Sequence, residues 1–236
     1  ALRIEVETLF HVSVNLVSTS IGENETTYDF EILTKKSGLP VSAKLSCYII
    51  SKDYVDSLIS STSSSGNGSV SFTIPNSANG TALLVSFAKI ENQIVSFNVY
   101  SFSHNSSTPE PNGTFMRLSP LNYTLNVSFS YPNEEVLRAQ AFSYGYASEL
   151  TQISRDNQTA EYSLPNLLDS SPMIIVITGF NGSSSFAEWV SYPQLPLEMG
   201  ADLSGLDTAS KIISLTYTVT INFALYAFTI KFVGPG

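Results

Sequence analysis

The side chains of this 236-residue chain most obviously suited to covalent chemistry are asparagine amides. Nine of the sixteen asparagines stand in the pattern N-x-Ser/Thr: Asn24, Asn67, Asn79, Asn105, Asn112, Asn122, Asn126, Asn157 and Asn181. In a secreted protein that pattern is the acceptor for N-linked glycans, and a Ser/Thr content of about a quarter would supply only roughly four matches by chance. Asn67, Asn79, Asn112 and Asn181 precede glycine in turn-like sequences. Asn122 and Asn126 fall on the polar side of an alternating stretch built from Tyr123, Leu125, Val127, Phe129 and Tyr131. Both settings direct a glycan outward, away from any core.

Catalytic groups are sparse. His11 lies on the polar side of the N-terminal stretch and His104 opens a Pro/Gly-rich segment, so both are expected to be solvated. Neither suggests a triad or a metal cluster, and no metal or other cofactor is expected. Glu134 and Glu135 follow Pro132. Paired carboxylates can hydrolyse glycosides, but adjacent acids in a surface turn are ordinarily just solvated. Trp189 and Tyr192 could line a sugar site, although packing is the commoner role of aromatics at strand positions. The expectation is a protein that is not an enzyme. Cys47 is the only cysteine, which rules out an intrachain disulfide and any metal site built from several thiolates. Lys89 shares parity with Leu83, Val85 and Phe87 and is expected to point inward, where an ammonium must be neutralised or paired. An isopeptide bond to an Asn or Asp is one way to do that.

The elements that must carry these groups read as strands. The first sixteen residues alternate: Leu2, Ile4, Val6, Phe10, Val12, Val14 and Leu16 take one parity, and Arg3, Glu5, Glu7, His11, Ser13 and Asn15 the other. Sixteen residues is well beyond the usual strand of roughly five or six, so this stretch is expected to reach outside its own domain. Tyr28, Phe30 and Ile32 alternate next. In the run from Val41 to Cys47 the apolar parity shifts at Tyr48 and Ile50, which predicts a β-bulge or a strand passing between sheets. Ser60–Gly68 reads as a loop. Val70, Phe72 and Ile74, then Leu83, Val85 and Phe87, then Val95, Phe97 and Val99 complete a first block. Residues 104–113, with two prolines, a glycine and two glycosylation motifs, form an extended connector. A second block follows, in which Met173–Thr178 is apolar on both parities and is predicted to be a central strand.

The C-terminal run from Lys211 to Val233 has nearly the hydrophobicity of a membrane span. Its alternation of Ile213, Leu215, Tyr217, Val219 and Ile221 with Ser and Thr instead predicts one long strand, bulged near Ala224 where the parity reverses. No membrane span is expected in the mature chain.

Frequent short strands and turns predict an all-β protein of two immunoglobulin-like antiparallel sandwiches. The boundaries implied are a donor strand over 1–16, a first sandwich over 17–105, a linker over 106–114 and a second sandwich over 115–236. Charged residues are only 13% of the chain and the net charge is −9, with eleven basic residues mostly scattered singly. No basic stripe could track phosphates, which excludes nucleic acid as a partner. With few ion pairs to lose, such a chain should also keep its stability in acid, and a hot acidic habitat is compatible with it. The chain opens on Ala without a charged-then-apolar leader, the expectation for a secreted protein after signal-peptide removal.

An alternating N-terminal strand, two β blocks, dense glycosylation motifs and no disulfide framework together resemble the subunit of the archaeal cell-surface threads. The resemblance lies in organisation along the whole chain and in no single motif. It implies an extracellular homopolymer with a head and a tail domain, assembled by donor-strand complementation and serving adhesion or biofilm formation. Leu2, Ile4, Val6, Phe10, Val12, Val14 and Leu16 would then fill a groove in the neighbouring subunit. The alternative is a monomeric, glycosylated surface-layer or carbohydrate-binding adhesive module whose first strand belongs to its own sheet.

Overall fold

A computed structural model describes residues 2–8, 10–90, 94–105, 116–121, 124–129, 134–165, 172–181, 184–192, 212–221 and 224–233. The described residues are all-β, without a helix. In chain order the strands are β1 (Leu2–Thr8), β2 (Phe10–Ile21), β3 (Glu25–Lys36), β4 (Leu39–Pro40), β5 (Lys44–Ser51), β6 (Tyr54–Ser61), β7 (Asn67–Pro75), β8 (Gly80–Ile90) and β9 (Ile94–His104). The second half contributes β10 (Met116–Leu121), β11 (Thr124–Phe129), β12 (Glu134–Ser143), β13 (Tyr146–Glu149), β14 (Thr151–Arg155), β15 (Thr159–Ser163), β16 (Met173–Asn181) and β17 (Ser184–Tyr192). Last come β18 (Ile212–Ile221) and β19 (Ala224–Val233). The linker expected at 106–114 lies outside the described residues.

All five sheets are antiparallel, and four of them stack face to face. The first is β2-β3-β7 with the short β4 against β3, and the second is β6-β5-β8-β9. Between them lies an apolar layer that includes Phe10, Val12 and Val14 of β2, Phe30 and Ile32 of β3, Cys47 and Ile49 of β5, and Leu84 of β8. The sheets β13-β12-β16-β17 and β10-β11-β15-β14 enclose a second layer around Leu125, Val127, Tyr162, Ile175 and Ile177. A third layer joins the two halves, because Tyr48, Ile50, Leu83, Val85 and Phe87 pack directly on Phe142, Ile174 and Val176.

That third layer explains the parity shift near Cys47. No bulge is present in β5, whose register with β6 and β8 is unbroken from Lys44 to Ser51. Cys47 and Ile49 face the first layer while Tyr48 and Ile50 face the third, so a strand buried on both sides loses its alternation. β16 obeys the same rule and is central, as its sequence predicts: Ile175 and Ile177 face one layer, Ile174 and Val176 the other. Hydrogen bonds close the seam between the halves. Tyr48 donates to the Ser143 carbonyl at 3.0 Å, Thr178 Oγ1 to the Lys52 carbonyl at 2.7 Å, and Ser185 Oγ to the Asn79 carbonyl at 2.9 Å.

The chain ends depart from expectation. The N-terminal stretch is two strands separated by Leu9 rather than one, and β2 runs past residue 16 to Ile21 with a bulge between Leu16 and Ser18. The C-terminal run is likewise a pair of strands, β18 and β19, whose ladder closes at Ile221 opposite Ala224. Pairing across two intervening residues sets odd numbers opposite even ones. The parity reversal near Ala224 is therefore the mark of a hairpin, not of a bulge within one strand.

Candidate functional site

Two regions carry the groups singled out by sequence. One is the sheet formed by the chain ends, in the order β1-β19-β18. Leu2, Ile4 and Val6 stand opposite Phe232, Ile230 and Phe228, and these stand opposite Ile213, Leu215 and Tyr217. The interleaved rows hold Arg3, Glu5 and Glu7 with Lys231, Thr229 and Ala227, then Ser214, Thr216 and Thr218. Apolar and polar residues thus segregate by row across all three strands. The side chains of Leu2, Ile4 and Val6 lie outside the described residues. Phe10 and Val12 are 1% exposed and Val14 is buried beside them, all within their own chain's first core. Leu16, at 36% exposure, lies at the edge of that core.

The second region is one end of the first sandwich. Asn24 sits in the β2–β3 turn, where the Gly22 N–H bonds to the Glu25 carbonyl at 2.8 Å. Asn79 sits in the turn from β7 to β8, and Asn105 follows β9 with a φ of 45°. A left-handed backbone is one that asparagine adopts more readily than most residues. Asn76, outside any glycosylation motif, ties this end together. Its backbone N–H donates to the Asn24 carbonyl at 2.9 Å, and its amide donates to the carbonyls of Gly22 and Glu23, both at 3.1 Å. It accepts from Thr26 Oγ1 at 2.8 Å and, through its carbonyl, from Asn105 Nδ2 at 3.4 Å.

His104 lies beneath this hub and is fully buried, contrary to the solvated position expected for it. Its inward direction continues the alternation of Tyr100 and Phe102, a signal the sequence does carry. One ring nitrogen, Nε2, lies 2.9 Å from the Pro75 carbonyl, which can only accept, so Nε2 holds the proton. Nδ1 then accepts from the Tyr28 hydroxyl at 2.9 Å. Burial holds the imidazole below its ordinary pKa, with the Pro75 bond partly opposing. Burial raises the Tyr28 phenol, against a smaller lowering by the backbone N–H of Asn105. Beside these residues a cleft of about 700 Å³ opens between β2 and β9, lined by Leu16, Thr19, Ile21, Tyr28, Phe102 and Asn105 among others.

Of the nine motif asparagines, Asn24, Asn67, Asn79, Asn105, Asn126 and Asn157 are exposed. Asn112, Asn122 and the side chain of Asn181 lie outside the described residues. Asn76 and Asn98, which lack the motif, are half-buried and bonded to backbone carbonyls, Asn98 to Val12 at 3.3 Å. Among the motif asparagines, Asn105 also takes part in this bonding, through Nδ2 to the Asn76 carbonyl.

The remaining candidates do not converge. His11 is exposed on β2, far in register from the buried His104. Glu134 and Glu135 open β12 instead of occupying a turn. Among the described residues, no group of three His, Cys, Asp or Glu could hold a metal ion. Trp189 is partly exposed on the edge strand β17. Lys89 points into the seam between the halves, with Nζ 5.4 Å from the ring centre of Tyr144, and takes up a cation–π contact there. Cys47 is fully buried, and burial pushes its thiol up to about 11. Among the described residues no helix is long and apolar enough to cross a membrane. No protein-family model matches the chain, and no curated protein matches its sequence.

Proposed function

We propose that this protein is the subunit of an extracellular filament, with two immunoglobulin-like sandwiches as its body and β1 as the strand exchanged between copies. The observation that carries this reading is the sheet β1-β19-β18, which joins the two ends of the chain through seven consecutive register pairs of β1 with β19, Leu2 with Phe232 through Thr8 with Tyr226. β2 is fixed in the first core through Phe10, Val12 and Val14, so the exchange is confined to β1. When β1 of one copy takes the same place on β19 of the next, the ladder broken in one chain is remade in another. Interaction energy is then conserved and local concentration decides the outcome. The contact is heterologous, so it propagates head to tail instead of closing into a pair. Exposed motif asparagines supply a saccharide coat for this surface, consistent with a cell-surface site after secretion.

The same β1–β19 pairing made within one chain is what the monomeric adhesive module would have. The two readings separate on deletion of residues 1–9, which spares Phe10, Val12 and Val14. Full-length protein should form filaments visible by electron microscopy, while the deletion stays dispersed and binds an added peptide of residues 1–9. A full-length chain that remains monomeric at high concentration would overturn the filament reading.

A further inference from the structure

The cleft between β2 and β9 is open among the described residues. After the bulge that follows Leu16, the inward register of β2 resumes at Thr19 opposite Tyr28 and Ile21 opposite Thr26. At this end the facing strand β9 stops at His104, so Leu16 and Ile21 are left 36% and 78% exposed over a floor of Tyr28 and Phe102. Both β2 and β9 are edge strands of their sheets. Exposed apolar groups beside open edges invite non-specific pairing, and natural sheets shield them.

We infer that this cleft is the bed of the saccharide carried by Asn105. The inference rests on the glycosylation reading above and specifies where one glycan lies. Asn105 is both a motif asparagine and a lining residue of the cleft, so a sugar on its amide starts beside the site. Attachment forms a bond from Nδ2 to the anomeric carbon of a phosphate-activated sugar donor; the bond from that carbon to the phosphate oxygen breaks and one amide proton is lost. The second amide N–H remains and keeps the bond to the Asn76 carbonyl, which orients the linkage. A cleft of about 700 Å³ falls within the roughly 300–1,000 Å³ of ordinary ligand sites. Its surfaces suit a sugar, whose C–H faces lie against Phe102, Leu16 and Ile21 while its hydroxyls meet the exposed hydroxyls of Thr19 and Ser103. Asn24, tied to the same hub through Asn76, is a second motif asparagine at this end of the sandwich.

The test uses the glycoprotein from its native host and a Ser107→Ala form, which removes the motif without touching Asn105 or its backbone. Glycopeptide mass spectrometry reads occupancy, and hydroxyl-radical footprinting reads exposure of Leu16, Ile21 and Phe102. Occupied Asn105 is expected, with oxidation of these three residues rising several-fold in Ser107→Ala while Leu39 and Ile59, exposed elsewhere, stay constant. Enzymatic deglycosylation of the folded native protein should give the same rise, which guards against misfolding of the variant. An unoccupied Asn105 would sink the glycosylation reading at this position, and the bed with it. An occupied Asn105 with unchanged footprints would leave glycosylation standing and overturn the bed. Protection that survives Ser107→Ala but disappears on deletion of residues 1–9 would assign the cleft to a neighbouring copy's strand.

Discussion

Phe10 and Ile4 share parity along the N-terminal stretch, yet the structure gives them different duties, and truncating each to alanine separates those duties. Phe10 is among the largest fully buried side chains, packed in the layer between the first two sheets. Removing a buried phenylalanine down to alanine costs about 3–5 kcal/mol, counting lost burial and the cavity left behind. With a urea dependence of about 2 kcal/mol per molar, the unfolding midpoint should fall by roughly 1.5–2.5 M. Such a loss is a large part of the roughly 5–15 kcal/mol that stabilises a typical domain. Ile4, in β1, pairs among the described residues with Ile230 of β19. Under the filament proposal, Ile4→Ala should therefore leave the urea midpoint of the stacked sheets in place and lower the yield or length of filaments. Urea titration followed by far-ultraviolet circular dichroism, with filament counts by electron microscopy, reads both effects. Equal midpoint shifts in the two variants, or a shift below about 1 kcal/mol for Phe10→Ala, would refute the division at Leu9.

Three further outcomes are expected. The folded-state pKa of His104 lies below the unfolded value of 6.5, so the unfolded chain binds more protons as pH falls through that value, and stability should drop progressively below it; urea midpoints between pH 7.5 and 5 should show this slope, and His104→Gln, whose amide can still donate to Pro75, should flatten it. Cys47 should react with a thiol reagent at pH 8 only as the protein unfolds, since it is fully buried with a thiol near 11, and prompt labelling of the native protein would contradict that burial. At Gly80, whose φ is 122°, an added Cβ would overlap Ser185 Oγ at the seam, so Gly80→Ala should cost about 1–3 kcal/mol by thermal unfolding; adding Ser185→Ala should recover only part of it, because the backbone strain remains.

Sequence parity served well wherever a strand buries one face. Tyr28, Phe30 and Ile32, or Val70, Phe72 and Ile74, are legible because polar residues intervene and the first core takes every second side chain. The rule fails where both faces are covered, as in β5, and there the sequence mimics a bulge. Real bulges, such as those after Leu16 and after Val136, carry no comparable signature. Strands β14 and β15 give a weak signal, for β14 is exposed along its whole length and β15 buries only Ala160 and Tyr162. Of the candidate site, the exposed asparagines were legible and the hub around Asn76 was not. Its partners Gly22, Thr26 and Asn105 are far apart in sequence and meet only through the sandwich end.

The long ladder between β2 and β3 also governs how the first sheet would bear tension. A pull along β2 meets β3 through eleven register pairs from Phe10 with Lys36 to Ile21 with Thr26. Hydrogen bonds in an antiparallel ladder lie across the strands. An axial pull therefore loads them in shear, all together, rather than peeling them one at a time. The buried rings and methyl groups of Phe10, Val12 and Val14 act as cleats against slippage. Force applied along β2 is thus shared by its whole ladder and passed through β3 to β7, across the width of the first sheet.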